Sequence, residues 1–178
     1  MAGINKKTIL VLGGARSGKS TYAQQLASGM GDKVLFCATA EPLDDDMLDR
    51  IEQHKKSRPC HWETLEVSRN VGRALCSLTA PYDAVVVDCI TLLVSNCLQD
   101  GSLQAGKIVS AEISSLIQFM GDKRSNYILV SNEVGNGLVP NNVLGRLYRD
   151  LLGRANQLLA GAADEVYLMV AGIPLKVK

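Results

Sequence analysis

The segment GGARSGKS at positions 13–20 places glycines, a lysine and a hydroxyl group at a spacing that suits phosphate binding. It fits the pattern G-x-x-x-x-G-K-[ST] with Gly13, Gly18, Lys19 and Ser20. Glycines let successive backbone N–H groups turn inward around phosphate oxygens, and a helix that begins here adds its positive N-terminal end. Lys19 would then reach the β- and γ-phosphates, and Ser20 would offer its hydroxyl to Mg²⁺. We therefore predict a triphosphate site (a P-loop), against the alternative of a glycine-rich turn that binds nothing.

A carboxylate stands at the end of another apolar run. The sequence AVVVD at 84–88 ends in Asp88, after three valines. In proteins with a P-loop, an acid in this place organises Mg²⁺ beside the phosphates. The alternative is an ordinary aspartate that caps a helix beginning near Thr91.

Both histidines of the chain lie in RIEQHKKSRPCHW, positions 50–62. His54 has Arg50 and Arg58 four residues away on either side, so a helix that reaches Arg58 would bring all three close to one face. The cations disfavour the imidazolium form and attract phosphate, and a neutral imidazole beside an α-phosphate is a nucleophile that could form a phosphoramidate. The residues alone leave open whether His54 is this nucleophile or an ordinary surface histidine. We interpret His61 as structural.

Apolar runs alternate with helical patterns along the whole chain. The runs are almost continuously apolar, as in strands that are buried on both faces of a sheet. This pattern predicts an α/β fold of three layers, with a mainly parallel sheet and helices on both faces, as a single domain over residues 1–178. The predicted strands are 8–12, 34–39, 82–88, 127–133 and 165–172, with a short edge strand at 175–178, and the predicted helices are 20–28, 44–56, 71–78, 107–120 and 142–162.

Composition narrows the classes of function. The 178 residues have a net charge of +1, which gives no long-range field for nucleic acid or an anionic membrane. The apolar run at 8–12 is too short for a signal peptide, and no stretch is long enough to span a membrane. Five cysteines without a CxxC pair favour reduced thiols and a cytoplasmic location.

The P-loop by itself does not define the class of enzyme. A GTPase of the switch type would carry N-K-x-D late in the chain, and the Asn5–Lys6 pair precedes the P-loop and lacks the aspartate. A recombinase-like ATPase would need a DNA-binding surface, which the charge balance does not indicate. A kinase of small molecules remains open.

The segment NEVGNGLVP at 132–140 follows the fourth predicted strand, where ligand-binding loops of open α/β sheets gather. Asn132 and Glu133 could bind substrate or orient Mg²⁺; the alternative is a simple turn into the helix near Asn142. Three arginines follow, which could neutralise phosphates or lie on a solvated or intersubunit face: Arg146, Arg149 and Arg154.

Several motifs together resemble the bifunctional adenosylcobinamide kinase/adenosylcobinamide-phosphate guanylyltransferase family, over essentially the whole chain. They are LGGARSGKS, RIEQH, VDCITLLVSN, SNEVGNGLVP and GRANQLLAGAADEVYLMVAGIPLKVK. The resemblance implies a RecA-like fold, a homotrimer, Mg²⁺, and GTP and ATP as substrates. It also implies two reactions: phosphorylation of adenosylcobinamide by a nucleoside triphosphate, then transfer of GMP from GTP to the product, with release of pyrophosphate.

The resemblance assigns roles to individual residues. His54 matches the histidine that carries GMP, which favours the nucleophile over the ordinary surface residue, and Lys19 joins it as a catalytic residue. Ser20 and Asp88 are the implied metal ligands. The implied nucleotide-binding residues are Gly13, Gly14, Ala15, Arg16, Ser17, Gly18, Lys19, Ser20, Thr39, Ala40, Glu41, Lys55, Lys56, Ser57, Arg58, Glu66 and Asp88.

Overall fold

The computed structural model describes residues 6–42, 44–56, 58–78, 80–98 and 104–178, without the side chains of Asp46 and Arg50. Strands and helices alternate along most of the chain. The strands are β1 (Thr8–Gly13), β2 (Val34–Ala38), β3 (Glu63–Glu66), β4 (Ala84–Asp88), β5 (Asn126–Asn132), β6 (Glu165–Val170) and β7 (Ile173–Lys176). The helices are α1 (Lys19–Ser28), α2 (Asp45–Lys56), α3 (Val71–Cys76), α4 (Ile90–Leu98), α5 (Ala105–Gly121) and α6 (Val143–Ala162).

The described strands form one seven-stranded sheet in the order β3-β2-β4-β5-β1-β6-β7. All neighbours are parallel except β7, which pairs antiparallel with β6. The register aligns the carboxyl ends of the strands: Ala38 pairs with Asp88, and Gly13 pairs with Asn132 and Met169. The end of β4 and the loop after β1 therefore lie on the same side of the sheet, at the carboxyl ends of the strands.

Alternate residues of the five inner strands, β1, β2, β4, β5 and β6, face two separate cores, as the pleat of a strand requires. Leu10 on β1 packs on the side of α3, α4, α5 and α6, within the larger cluster. Its neighbours Ile9 and Val11 pack on the opposite side with Ala23 and Ala27 of α1. The sheet is thus covered on both faces, and the predicted α/β fold of three layers is confirmed.

Three elements differ from the sequence prediction. Strand β3 was not predicted, because Glu63–Glu66 is a short edge strand with three exposed residues and no apolar run. Helix α4 was predicted only as the alternative that begins near Thr91; it begins at Ile90, and its largely apolar sequence, ITLLVSNCL, gives a weak helical periodicity. Strand β7 lies at Ile173–Lys176 instead of 175–178, with Pro174 accommodated because β7 is at the edge of the sheet.

Helix α2 ends at Lys56, as predicted, so the condition for a helical alignment of His54 with Arg58, a helix that reaches Arg58, is not met. Arg58 precedes Pro59, and the proline ring disfavours the helical conformation in the residue before it. The side chain of Arg50 and all of Ser57, both part of the prediction, lie outside the described residues.

Two further predictions concern the chain as a whole. No helix within the described ranges is long and apolar enough to cross a membrane. The single domain predicted over residues 1–178 includes positions outside the description and stays a prediction.

Candidate functional site

The loop between β1 and α1 is tightly packed and needs its glycines. Gly13 has a φ of 153°, and a Cβ there would lie 2.6 Å from Ser17 Oγ and 2.8 Å from the Met169 carbonyl oxygen. Gly18, just before α1, has a φ of 92°, a left-handed conformation that side chains disfavour. The loop thus has the compact backbone that turns N–H groups toward a phosphate.

Lys19 opens α1 and points back over this loop. Only 7% of the residue is exposed, and its Nζ donates to the Gly14 carbonyl oxygen at 2.6 Å and to Ser17 Oγ at 3.4 Å. Burial lowers the pKa of Lys19, whereas the nearby Cys89 and Asp88 act in the opposite direction. The ammonium group is therefore held at the loop, where it can meet a phosphate.

Asp88 lies at the carboxyl end of β4, two strands away from β1. The residue is half-buried, and burial of its carboxylate raises its pKa, while a hydrogen bond with Ser20 and the charges of His54, Lys19 and Arg58 lower it. Its Oδ2 is buried without a hydrogen-bond partner. A buried carboxylate oxygen in this state is suited to a cation, because charged oxygen is costly to bury unpaired.

Thr39 fixes the backbone at the end of β4. The residue is completely buried, and its hydroxyl donates to the Cys89 carbonyl oxygen at 2.7 Å and accepts from Cys89 N–H at 2.8 Å. Its own N–H donates to the Asp88 carbonyl oxygen at 3.2 Å. The hydroxyl of Thr39 thus holds the backbone that follows Asp88, and its contact with a nucleotide stays a prediction.

His54 lies in the last turn of α2 and is exposed. The charge of His54 lowers the pKa of Asp88, so the imidazole acts electrostatically on the carboxylate at the end of β4. Arg58 follows the helix, and its Nε donates to the His54 carbonyl oxygen at 2.9 Å. The structure therefore places Lys19, Ser20 and Asp88 together, and Arg58 joins the turn that carries His54 to the neighbouring strands β2 and β3.

The other predicted nucleotide contacts surround this group. Lys55 Nζ lies 2.5 Å from Glu66 Oε1, an exposed ion pair that joins α2 to β3. Lys56 is exposed and lies 3.8 Å from Glu52, one turn earlier on the same helix. Two half-buried residues, Ala40 and Glu41, follow Thr39 at the carboxyl edge.

The loop at 132–140 reaches the P-loop through its backbone, since Glu133 N–H donates to the Gly13 carbonyl oxygen at 3.0 Å. The Glu133 carboxylate accepts from Gly135 N–H at 2.6 Å. Asn142 caps α6 by accepting from Gly145 N–H at 2.6 Å, so the segment is also the predicted turn into a helix. The segment 132–140 thus lies against the P-loop and also forms the turn into α6.

Two of the three arginines on α6 hold this loop. Arg149 donates to the Gly135 carbonyl oxygen, and Arg146 donates to the carbonyl oxygens of Pro140 at 3.1 Å and Asn141 at 2.9 Å. Arg154 is exposed farther along the helix. The hydrogen bonds of Arg146 and Arg149 thus serve the shape of the loop.

The sequence analysis missed the contribution of the turn between β6 and β7. Gly172 N–H donates to the Ser17 carbonyl oxygen at 3.0 Å, and a Cβ on Gly18 would lie 3.3 Å from Gly172 Cα. The motif VAGIP at the end of β6 carried the signal, because a glycine directly after a strand marks a close backbone approach. The hairpin supports the P-loop from the side opposite Asp88.

Solved structures share the fold. An ATPase of a bacterial type III secretion system matches 92% of this chain and 52% of that chain, with a TM-score of 0.58 and 12% identity. The RadB recombinase matches 91% of this chain and 73% of that chain, with a TM-score of 0.51 and 18% identity. These likenesses show a RecA-like P-loop fold.

Curated relatives are much more similar in sequence. The bifunctional adenosylcobalamin biosynthesis protein CobU of Salmonella typhimurium is 44% identical over 180 residues, covering 96% of this chain and 99% of that protein. Its namesake of Escherichia coli is 43% identical with the same coverage, and CobP of Pseudomonas aeruginosa is 39% identical over 169 residues, covering 95% of this chain and 96% of that protein. The family model described as cobinamide kinase / cobinamide phosphate guanyltransferase matches residues 9–177. Since the family model and these relatives match almost the whole chain, the chain belongs to the cobinamide kinase / cobinamide phosphate guanyltransferase family.

Proposed function

We propose that this enzyme phosphorylates adenosylcobinamide with a nucleoside triphosphate and then transfers GMP from GTP to the product through a guanylyl-histidine on His54. The observation that carries the proposal is the position of the last turn of α2: Arg58 joins the His54 carbonyl oxygen to β3 and to Phe36 of β2, and β2 lies next to β4, which ends in Asp88. The two activities of the family supply the chemistry that this group of residues would perform.

The guanylyl transfer takes two displacements at the same phosphorus atom. An imidazole nitrogen of His54 attacks the α-phosphorus of GTP, a P–N bond forms, and the P–O bond to pyrophosphate breaks. The phosphate oxygen of adenosylcobinamide phosphate then attacks the same phosphorus, and the P–N bond breaks to restore the imidazole. Because GMP is held on the protein between the steps, each half-reaction can run separately.

Lys19 and the backbone of residues 13–20 would bind the triphosphate in both reactions. The ammonium group and the inward N–H groups would offset the negative charge that shifts to the leaving oxygens. The other proposed contacts of the nucleotide remain Thr39, Ala40, Glu41, Lys55, Lys56, Ser57, Arg58 and Glu66. Ser57 lies outside the described residues.

Ser20 and Asp88 are the residues that would hold Mg²⁺. The bare Oδ2 of Asp88 and its hydrogen bond with Ser20 fit this ion, which takes oxygen ligands and keeps several waters and substrate phosphates. When bound, Mg²⁺ neutralises charge on the phosphates.

We further propose a homotrimer in the cytoplasm, as the family resemblance implies. Exposed apolar side chains support self-association, since monomers rarely expose contiguous apolar surface. Leu138 is 97% exposed, and Val143 and Leu144 follow on the first turn of α6. All five cysteines are free thiols, as is typical of a reducing compartment.

The separability of the two reactions tests this function. His54→Ala should abolish the GDP-linked product but leave phosphorylation of adenosylcobinamide measurable, because only guanylyl transfer needs the imidazole. His61→Ala is the matched control, since His61 is also exposed and should keep both activities. Chromatography of corrinoid products would give two successive products from the wild type and one from His54→Ala. Wild-type guanylylation by His54→Ala would refute the covalent mechanism, and a wild type that forms only the phosphorylated product would indicate a kinase of a single function.

A further inference from the structure

Helix α2 carries His54, yet the core does not hold this helix. None of its described side chains is buried, and only Met47 and Ile51 are half-buried. Its N-terminal end is capped by Asp44, whose Oδ1 accepts from Met47 N–H at 2.7 Å. Because helices in proteins gain most of their stability from tertiary packing, the position of His54 depends on a few specific contacts at the other end of α2.

Arg58 makes the most extensive of these contacts. Its Nε donates to the His54 carbonyl oxygen at 2.9 Å, and its Nη1 donates to Thr64 Oγ1 on β3 at 3.2 Å. The guanidinium carbon lies 4.1 Å from the centre of the Phe36 ring on β2. Phe36 is only 3% exposed, so the ring is a fixed part of the sheet. One planar group thus ties the last turn of α2 to two strands.

The bond to His54 meets a need of the helix. The last four carbonyl groups of a helix lack partners within it, and a cation at this end also interacts favourably with the helix dipole. Burial lowers the pKa of Arg58, while the charges of Asp88 and Glu66 act in the opposite direction. The charges of Arg58 and Asp88 therefore act on each other.

We propose that Arg58 is a positioning residue for guanylyl transfer: by holding the His54 carbonyl against β2 and β3, it holds the imidazole at the α-phosphate. The inference rests on the proposed role of His54 and differs from the nucleotide contact that the family resemblance implies for Arg58. The exposed Lys55–Glu66 pair joins the same elements, but solvent screens it. Lysine cannot replace Arg58, because only a planar guanidinium both stacks on Phe36 and donates in two fixed directions.

Single-turnover kinetics with GTP labelled in the α-phosphate tests this role. The Arg58→Lys variant should form the protein adduct at saturating GTP on the order of 10-fold more slowly, because a small misplacement of a nucleophile is costly. The rate of adenosylcobinamide phosphorylation and the GTP concentration for half-maximal rate should change by a clearly smaller factor than the rate of adduct formation, because only the guanylyl step needs the imidazole in place. Thr64→Ala should slow adduct formation in the same direction by a smaller factor.

Controls separate this role from others. Arg124→Lys changes an exposed arginine just before β5, at the amino-terminal ends of the strands and away from the P-loop. It should leave the rate of adduct formation, the GTP concentration for half-maximal rate and the rate of phosphorylation unchanged. Thermal denaturation of each variant would verify folding, and Thr64→Ala carries the test if Arg58→Lys does not fold.

Three results with the variants would overturn the inference. Weaker GTP binding with an unchanged maximal rate would make Arg58 a nucleotide contact. A parallel loss of kinase activity would make its role merely structural, and an unchanged rate of adduct formation would exclude positioning. A wild type without any adduct would refute the histidine mechanism itself, before the variants are compared.

Discussion

At the scale of single residues, Asp88 carries the main electrostatic conflict of the site. Burial raises its pKa, although Ser20 and the charges of His54, Lys19 and Arg58 lower it, and its Oδ2 has no hydrogen-bond partner. A group that costs stability in the free protein but suits a cation is typical of functional sites. We therefore expect the carboxylate of Asp88 to lower the free energy of unfolding while it provides a ligand for a cation.

The Asp88→Asn variant should be more stable than wild type in the absence of divalent metal, by about 1–3 kcal/mol at neutral pH. The sign follows from linkage: a carboxyl whose pKa is raised on folding lowers stability as the pH rises from its ordinary value, about 4, through the raised value. The gain should therefore disappear below about pH 4. Urea denaturation in EDTA at several pH values measures it.

The control for this prediction is Asp122→Asn, an exposed carboxylate 3.7 Å from Arg124, which should leave the stability unchanged. The affinity for a nucleoside triphosphate with Mg²⁺ should change in the opposite direction: Asp88→Asn should bind it more weakly than wild type, because the variant loses a proposed metal ligand. A metal-free Asp88→Asn protein that is less stable than wild type would contradict this account of the site.

At the scale of elements, hydrogen bonds between distant segments place the site. Thr39 at the end of β2 binds Cys89 after β4, and Arg58 after α2 binds Thr64 on β3. The sequence predicted the P-loop and Asp88 because a local pattern and strand polarity define them. It could not predict the partners of Thr39 and Arg58, since these depend on which strands are neighbours and on where α2 ends before Pro59.

Thr39→Val should destabilise the protein by about 1–3 kcal/mol, because the half-buried N–H and carbonyl groups of Cys89 would lose their partner. Thr39→Ser is the matched variant, as it keeps the hydroxyl and should lose markedly less. Urea denaturation monitored by circular dichroism compares the two. A loss in Thr39→Ser that exceeds the loss in Thr39→Val would mean that the methyl group of Thr39, and not its hydrogen bonds, supports the end of β4.

At the scale of the whole molecule, the strand order makes one edge of the sheet a common binding edge. Strand β5 lies between β1 and β4, so the P-loop, the loop at 132–140 and Asp88 open side by side. Helix α2 brings His54 to the same edge from outside the sheet. The homotrimer stays a prediction from the family resemblance. The exposed apolar residues at the start of α6 are a surface that contact between copies could bury.

The central claim is that His54 carries GMP, and labelled GTP tests it without any corrinoid. Protein mixed with Mg²⁺ and GTP labelled in the α-phosphate should retain the label after denaturation and release pyrophosphate, whereas label in the γ-phosphate should be lost. The adduct should be labile in mild acid and stable in alkali, because protonation of the nitrogen makes it a good leaving group. Peptide mapping should place GMP on His54, and not on His61, Lys19 or Lys55. A label that survives acid, or no adduct while GTP is bound, would contradict the account.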